Sequence, residues 1–197
     1  MGKILILLIG LNVFFISAPA SGTLITVGFD PSAIMTATGN TFGTNLIATI
    51  DTSSPIVSFG LDITFNQDIL DTVGAVVDAS TFSGSLVDFA TDGLIELTGF
   101  VFPLGPGLSG PLTLATLTFI GEAVGTTTLT PEITLSDPTE GFGRPLPPGG
   151  IVPLSDIILE VGSVSVVPEP ATILLLGTGL AGLVGFRKKV WQHLSKL

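Results

Sequence analysis

The chain of 197 residues contains no cysteine and no tyrosine, a single histidine, a single tryptophan and six basic residues. Without cysteine there is no disulfide, no thiolate metal site and no cysteine nucleophile, so the fold must be held by packing. His193 lies close to the last residue, which removes a Ser-His-Asp triad or a histidine zinc site from the body of the chain. Positive charge is confined in the same way. Lys3 precedes one apolar run, Arg187, Lys188, Lys189 and Lys196 follow another, and Arg144 alone lies between Ser21 and Val167. Fifteen carboxylates share that middle stretch with it, leaving fourteen net negative charges. Such a surface repels nucleic acid and anionic lipid headgroups and suits cations, basic partners or simple solubility. No amphipathic helix of useful length can be read between Ser21 and Val167.

What is present is concentrated first at the ends. Met1-Gly2-Lys3 gives a short positive start, Ile4 to Ile16 is a nearly unbroken apolar run, and Ala18 and Ala20 put small residues where a signal peptidase cuts. The mature chain is expected to begin near Ser21. At the other end Val167-Pro168-Glu169-Pro170 leads into a Leu/Gly-rich run from Ala171 to Phe186, closed by Arg187, Lys188 and Lys189. As a helix that run would be about 24 Å long, short of a hydrocarbon core of about 30 Å unless Val190 and Trp191 extend it. The basic cluster acts as a membrane stop and should stay cytoplasmic, leaving the acidic middle outside.

This order of parts, Val-Pro-Glu-Pro-Ala-Thr, a short Gly/Leu-rich span and Arg-Lys-Lys, resembles the PEP-CTERM sorting signal of Gram-negative bacteria. The resemblance implies processing by an exosortase, a membrane cysteine protease that removes the span during export to the surface or into exopolysaccharide. It makes Pro168, Glu169 and Pro170 recognition residues on a substrate. A span that is never cut, and so a permanently anchored periplasmic protein, is the alternative. The expected organisation is a signal peptide over 1–20, a β domain over 21–166, a sorting signal with its transmembrane helix over 167–189 and a basic cytoplasmic tail over 190–197.

In the middle region the periodicity is two. Val57, Phe59, Leu61, Ile63 and Phe65 alternate with Ser58, Gly60, Asp62, Thr64 and Asn66, which predicts a half-buried strand. Leu129, Ile133 and Leu135 alternate with threonines and Glu132, and Thr23 to Phe29 places Ile25, Val27 and Phe29 on one side. Leu94 to Phe102 and Ile157 to Val166 are apolar on both faces, as in central strands. Between Leu114 and Ala115 the apolar face switches, which predicts a β-bulge. Turn signals such as Asp30-Pro31, Thr38-Gly39-Asn40 and Asp92-Gly93 separate these runs. Short strands without helices predict an all-β, antiparallel β-sandwich of Greek-key or jelly-roll type, its core filled by the phenylalanines.

The stretch from Val57 to Leu70, and Leu114 to Phe119 followed by Gly125 to Leu129, resemble the cohesin-like domain, a nine-stranded sandwich. The resemblance covers about Thr23 to Val166 and implies a dockerin-like protein as one partner class, with no residue set to carry over. Exopolysaccharide is the other partner class expected of an exported, matrix-facing protein.

Chemistry-bearing motifs are few. Gly105 to Gly110 and Gly177 to Gly182 both satisfy G-x-G-x-x-G, but the first is a proline-broken loop and the second lies in the apolar span, so neither opens a βαβ unit. No catalytic residue is assigned. Asp68 with Asp71, or Asp88, Asp92 and Glu96, form the one enzymatic alternative, a glycoside hydrolase acting through paired carboxylates. No cofactor is expected; calcium is left open at Asp62, Asp68, Asp71 and Asp137, although no D-x-D-x-D-G loop is present. Thr126, Thr128 and Thr130 line one strand face, which ordinary β-propensity explains.

Overall fold

The computed structural model describes residues 24–89, 91–103, 105–134, 136–146, 149–169 and 177–179. Apart from 177–179, the two apolar end segments lie outside the described residues, as do Ala18, Ala20, Pro170, Arg187, Lys188 and Lys189. Among the described residues no helix is long and apolar enough to cross a membrane.

The strands are β1 (Ile25–Asp30), β2 (Ala33–Ala37), β3 (Thr41–Ile50), β4 (Ser58–Thr64), β5 (Leu70–Val77), β6 (Gly84–Asp88), β7 (Leu94–Phe100), β8 (Gly110–Gly121), β9 (Gly125–Glu132), β10 (Gly141–Gly143), β11 (Ile157–Leu159) and β12 (Gly162–Val167). They form two sheets, β11-β1-β3-β8-β5 and β2-β12-β9-β4-β7-β6, with β10 paired to β4 beside β9. Most strands that follow one another in sequence sit in opposite sheets; the β6–β7 hairpin is an exception. Crossing back and forth in this way makes the chain itself stitch the two layers together.

The inward residues follow the period-2 pattern. Val57, Phe59, Leu61 and Ile63 are buried, as are Ile25, Val27 and Phe29. Phe119 stacks on Phe42 with ring centroids 5.7 Å apart and meets the Phe65 ring edge-on at 5.2 Å, while Phe82 meets Phe59 at 4.9 Å. Three phenylalanines depart from the expected core filling: Phe89, Phe100 and Phe102 are exposed.

The predicted bulge is present. Leu46 pairs with Ala115 and Ile47 with Thr113, so Leu114 is the extra residue on β8, and both Leu114 and Ala115 turn into the core. A second irregularity, at Val73 on β5, switches the inward parity from Leu70 to Val77 and was not foreseen.

The sheets differ from the expected antiparallel arrangement in two places. β1 pairs in parallel with β11, and β2 in parallel with β12. The run Ile157 to Val166 is therefore two strands rather than one, and they lie in different sheets. The cause is a change of parity. Ile157 and Leu159 face one way, Val164 and Val166 the other, and Glu160-Val161 carries the chain between layers. β1 and β2 switch sheets beside it, and the pairing continues through the switch, where Glu160 N donates to Val27 O at 2.8 Å and Ser163 N to Ser32 O at 2.8 Å.

Candidate functional site

The outer face of the second sheet gathers its charge in one line. Asp88 on β6 pairs with Glu96 on β7, Glu96 with Asp62 on β4, and Asp62 with Glu132 on β9. Four carboxylates thus stand side by side across four neighbouring strands, which lie about 4.8 Å apart. Like charges in directly opposed positions destabilise a sheet, so this row works against folding. The next rows are apolar or small: Leu86 opposite Thr98 and Gly60, then Gly84 opposite Phe100 and Ser58. Leu86 is 71% exposed and Phe100 43% exposed. The Phe100 ring lies over Gly84, where a Cβ would collide with it.

The loop between β9 and β10 roofs part of this face. Gly60 is buried because the Thr139 carbonyl oxygen sits where its Cβ would be. The loop is fastened by the Thr134 N–H, which donates to Glu140 Oε2, and by the Thr134 hydroxyl, which donates to Asp62 Oδ2 at 3.5 Å. Within it Asp137 accepts from Thr139 N at 2.7 Å and from the Thr139 hydroxyl at 2.6 Å. The result is an open hollow of about 490 Å³ lined by Asp62, Leu86, Asp88, Glu96, Asp137 and Glu140 among others.

Burial raises the Asp62 carboxyl above the ordinary carboxylate range; hydrogen bonds with Glu140 and Thr134 pull it back, while the charges of Asp137 and Glu132 push it up again. Glu140 is raised for the same leading reason, and its contact with Asp62 adds to it. Asp137 is held below the ordinary range by its hydrogen bonds from Thr139. The hollow therefore presents negative charge that is partly withdrawn from water, next to exposed apolar side chains.

A second hollow of about 490 Å³ lies at one end of the sandwich, lined by Asp68, Asp71, Phe89, Asp92 and Glu122 among others. The carboxylates singled out in the sequence are thus regrouped. Asp88 and Glu96 join Asp62 and Asp137 on the sheet face, whereas Asp92 leaves them for Asp68 and Asp71. Among the described residues no group of three carboxyl side chains is arranged to hold a metal ion. Glu132, Glu140, Leu86 and Phe100 were missed. Alternation already placed Glu132 on an outward face, but nothing in the sequence says which residue stands opposite it. Thr126 and Thr128 do lie exposed on β9, with Thr130 partly so. Pro168 and Glu169 follow β12 directly and are exposed.

Residues 166–189 match the model of the PEP-CTERM protein-sorting motif. No curated protein matches the chain. Solved structures similar to it are cohesins. A type I cohesin–dockerin complex from Clostridium thermocellum is 14% identical with a TM-score of 0.57, over 77% of this chain and 99% of that one. A cohesin of Clostridium acetobutylicum is 16% identical with a TM-score of 0.55, over 74% and 92%. A non-cellulosomal cohesin of the archaeon Archaeoglobus fulgidus is 16% identical with a TM-score of 0.51, over 74% and 91%. The chain thus carries a PEP-CTERM sorting motif, and its sandwich has the cohesin fold.

Proposed function

We propose that this chain is an exported protein, sorted to the cell surface by its C-terminal motif and trimmed there by an exosortase-type enzyme, whose sandwich is a non-catalytic binding module for a protein partner. The observation that carries the binding role is the carboxylate row Asp88-Glu96-Asp62-Glu132 beside exposed Leu86 and Phe100. A row that costs stability and is set next to apolar side chains suits a partner presenting lysine or arginine around an apolar anchor. The dockerin seated on the similar Clostridium thermocellum cohesin makes a dockerin-like module the first partner class to try. Pro168, Glu169 and Pro170 act as the recognition residues for processing, and Arg187, Lys188 and Lys189 as the membrane stop until the span is removed.

The test is binding of the fragment 21–167 to dockerin-like modules, basic amphipathic peptides and the native exopolysaccharide, measured calorimetrically. Saturable binding to a basic protein module, lost when Asp62 and Glu96 are both changed to lysine, supports the reading. Binding to polysaccharide that survives those changes, or no binding at all, overturns it.

A further inference from the structure

The sorting motif does not begin on a free tail. Its first two residues, Val166 and Val167, are the end of β12, which is held on one side by β2 and on the other by β9. The Val167 carbonyl accepts from Thr38 N at 3.0 Å, and Val166 stands opposite Gly125. Only Pro168, Glu169 and Pro170 separate this anchored strand from the apolar run that starts at Ala171. Fully extended, three residues reach about 10 Å. The end of a sandwich is wider than that, with sheets about 10 Å apart and strands spaced at about 4.8 Å. The loops around the exit, and not the tail alone, must therefore meet whatever holds the apolar run.

Those loops form one connected surface. Gly39 N donates to Gly121 O at 2.8 Å, Glu122 N to Ile69 O at 2.8 Å, and Asn66 N to the Thr127 hydroxyl at 3.1 Å. The surface continues into the hollow that Asp68, Asp71, Asp92 and Glu122 line, with Phe89 and Val124 exposed beside it. Arg144, the one basic residue between Ser21 and Val167, does not line this hollow. An anionic leaflet repels such an end.

Resting on the processing role proposed above, we infer that this end of the sandwich, built from the 38–40, 66–71 and 122–125 segments with Phe89 and 91–93, is a docking face for a membrane-embedded protein with a cationic outer rim, namely the enzyme that removes the span. The three-residue tether presses the two surfaces together, and the carboxylates orient the fold so that the Pro168–Pro170 segment enters the cleavage site.

The experiment uses the full-length chain in a host with its own sorting machinery, with a photo-crosslinking residue at Gln67 or Val124, or at Ser53 at the opposite end. Crosslinks from Gln67 and Val124 to one membrane protein, with none from Ser53, are expected. The double change Asp68→Lys and Asp92→Lys should slow removal of the span by about tenfold, with the melting temperature of the domain unchanged. Crosslinks to lipid only, the same crosslinks from both ends, or processing at the parent rate in the charge-reversed chain would overturn the inference. Intact mass separates the two layers of the argument. A parent chain that keeps its span overturns the processing role, and the crosslinks still decide the docking face.

Discussion

Asp62 on β4 stands directly opposite Glu96 on β7, the central pair of a row of four carboxylates. Changing Asp62→Asn removes the middle charge. Because Asp62 and Glu140 are raised in the folded state, the fold binds their protons more tightly than the unfolded chain does. Their contribution is fully present below the unfolded value of about 4 and is lost as pH rises through the folded values. Asp51, Asp78 and Asp137 are lowered and act in the opposite sense, stabilising above the unfolded value and failing as pH falls. The Asn variant should therefore be more stable than the parent at neutral pH by roughly 0.5 kcal/mol, with the gain vanishing in acid. Urea denaturation of both proteins at the two pH values checks this; equal stability at neutral pH contradicts it.

Gly60 seats the roofing loop on the sheet, since any Cβ there meets the Thr139 carbonyl. Gly60→Ala should cost about 1–3 kcal/mol, as overpacking does. It should also speed hydrogen exchange at the Thr134 amide, which Glu140 protects. An unchanged exchange rate there would show that the loop is not held from below.

Binding at the carboxylate row should weaken as salt is added, because the interacting charges lie at a solvent-facing surface. Leu86→Asp, which leaves all four carboxylates of the row in place, should weaken it as well by removing an exposed apolar contact. Titrations over a range of ionic strength, with parent and variant, separate the two contributions. An affinity indifferent to both places the partner elsewhere.

Phe119 touches the ring of Phe42 beside it in the same sheet and, across the layers, the ring of Phe65. Phe119→Ala should cost about 3–5 kcal/mol, a large fraction of the 5–15 kcal/mol typical of a domain. A thermal melt that shifts by only a degree or two would be inconsistent with this packing.

The reach of the sequence ends where pairing begins. Alternation identified β4 and the inward set Ile25, Val27 and Phe29, and the parity switch at Leu114 located a bulge, because each is a local consequence of side chains pointing to opposite faces. The same rule, applied across Glu160-Val161, would have divided the run from Ile157 to Val166; its apolar residues on both faces disguised a change of sheet as a central strand. The parallel pairs β1–β11 and β2–β12 join residues more than a hundred positions apart, and no local pattern encodes their direction. The candidate site was half legible for the same reason. Asp62 read as an outward-facing acid and Glu96 as an acid within a run apolar on both faces, and only register brings them opposite each other. Phe100 read as core because its exposure depends on Gly84 across the strand, which lets the ring lie flat on the surface.

The parallel strands also set an order of events. β11 is the partner of β1, and β12 fills the gap between β2 and β9, so neither sheet is complete until the final stretch before Pro168 is available. If the chain is exported from its first residue as proposed above, that stretch crosses after the rest of the sandwich and just ahead of the apolar run. The fold is then completed only as the sorting motif arrives. Under that proposal timing, and not affinity alone, sets whether a processing enzyme meets a finished domain or two open sheets.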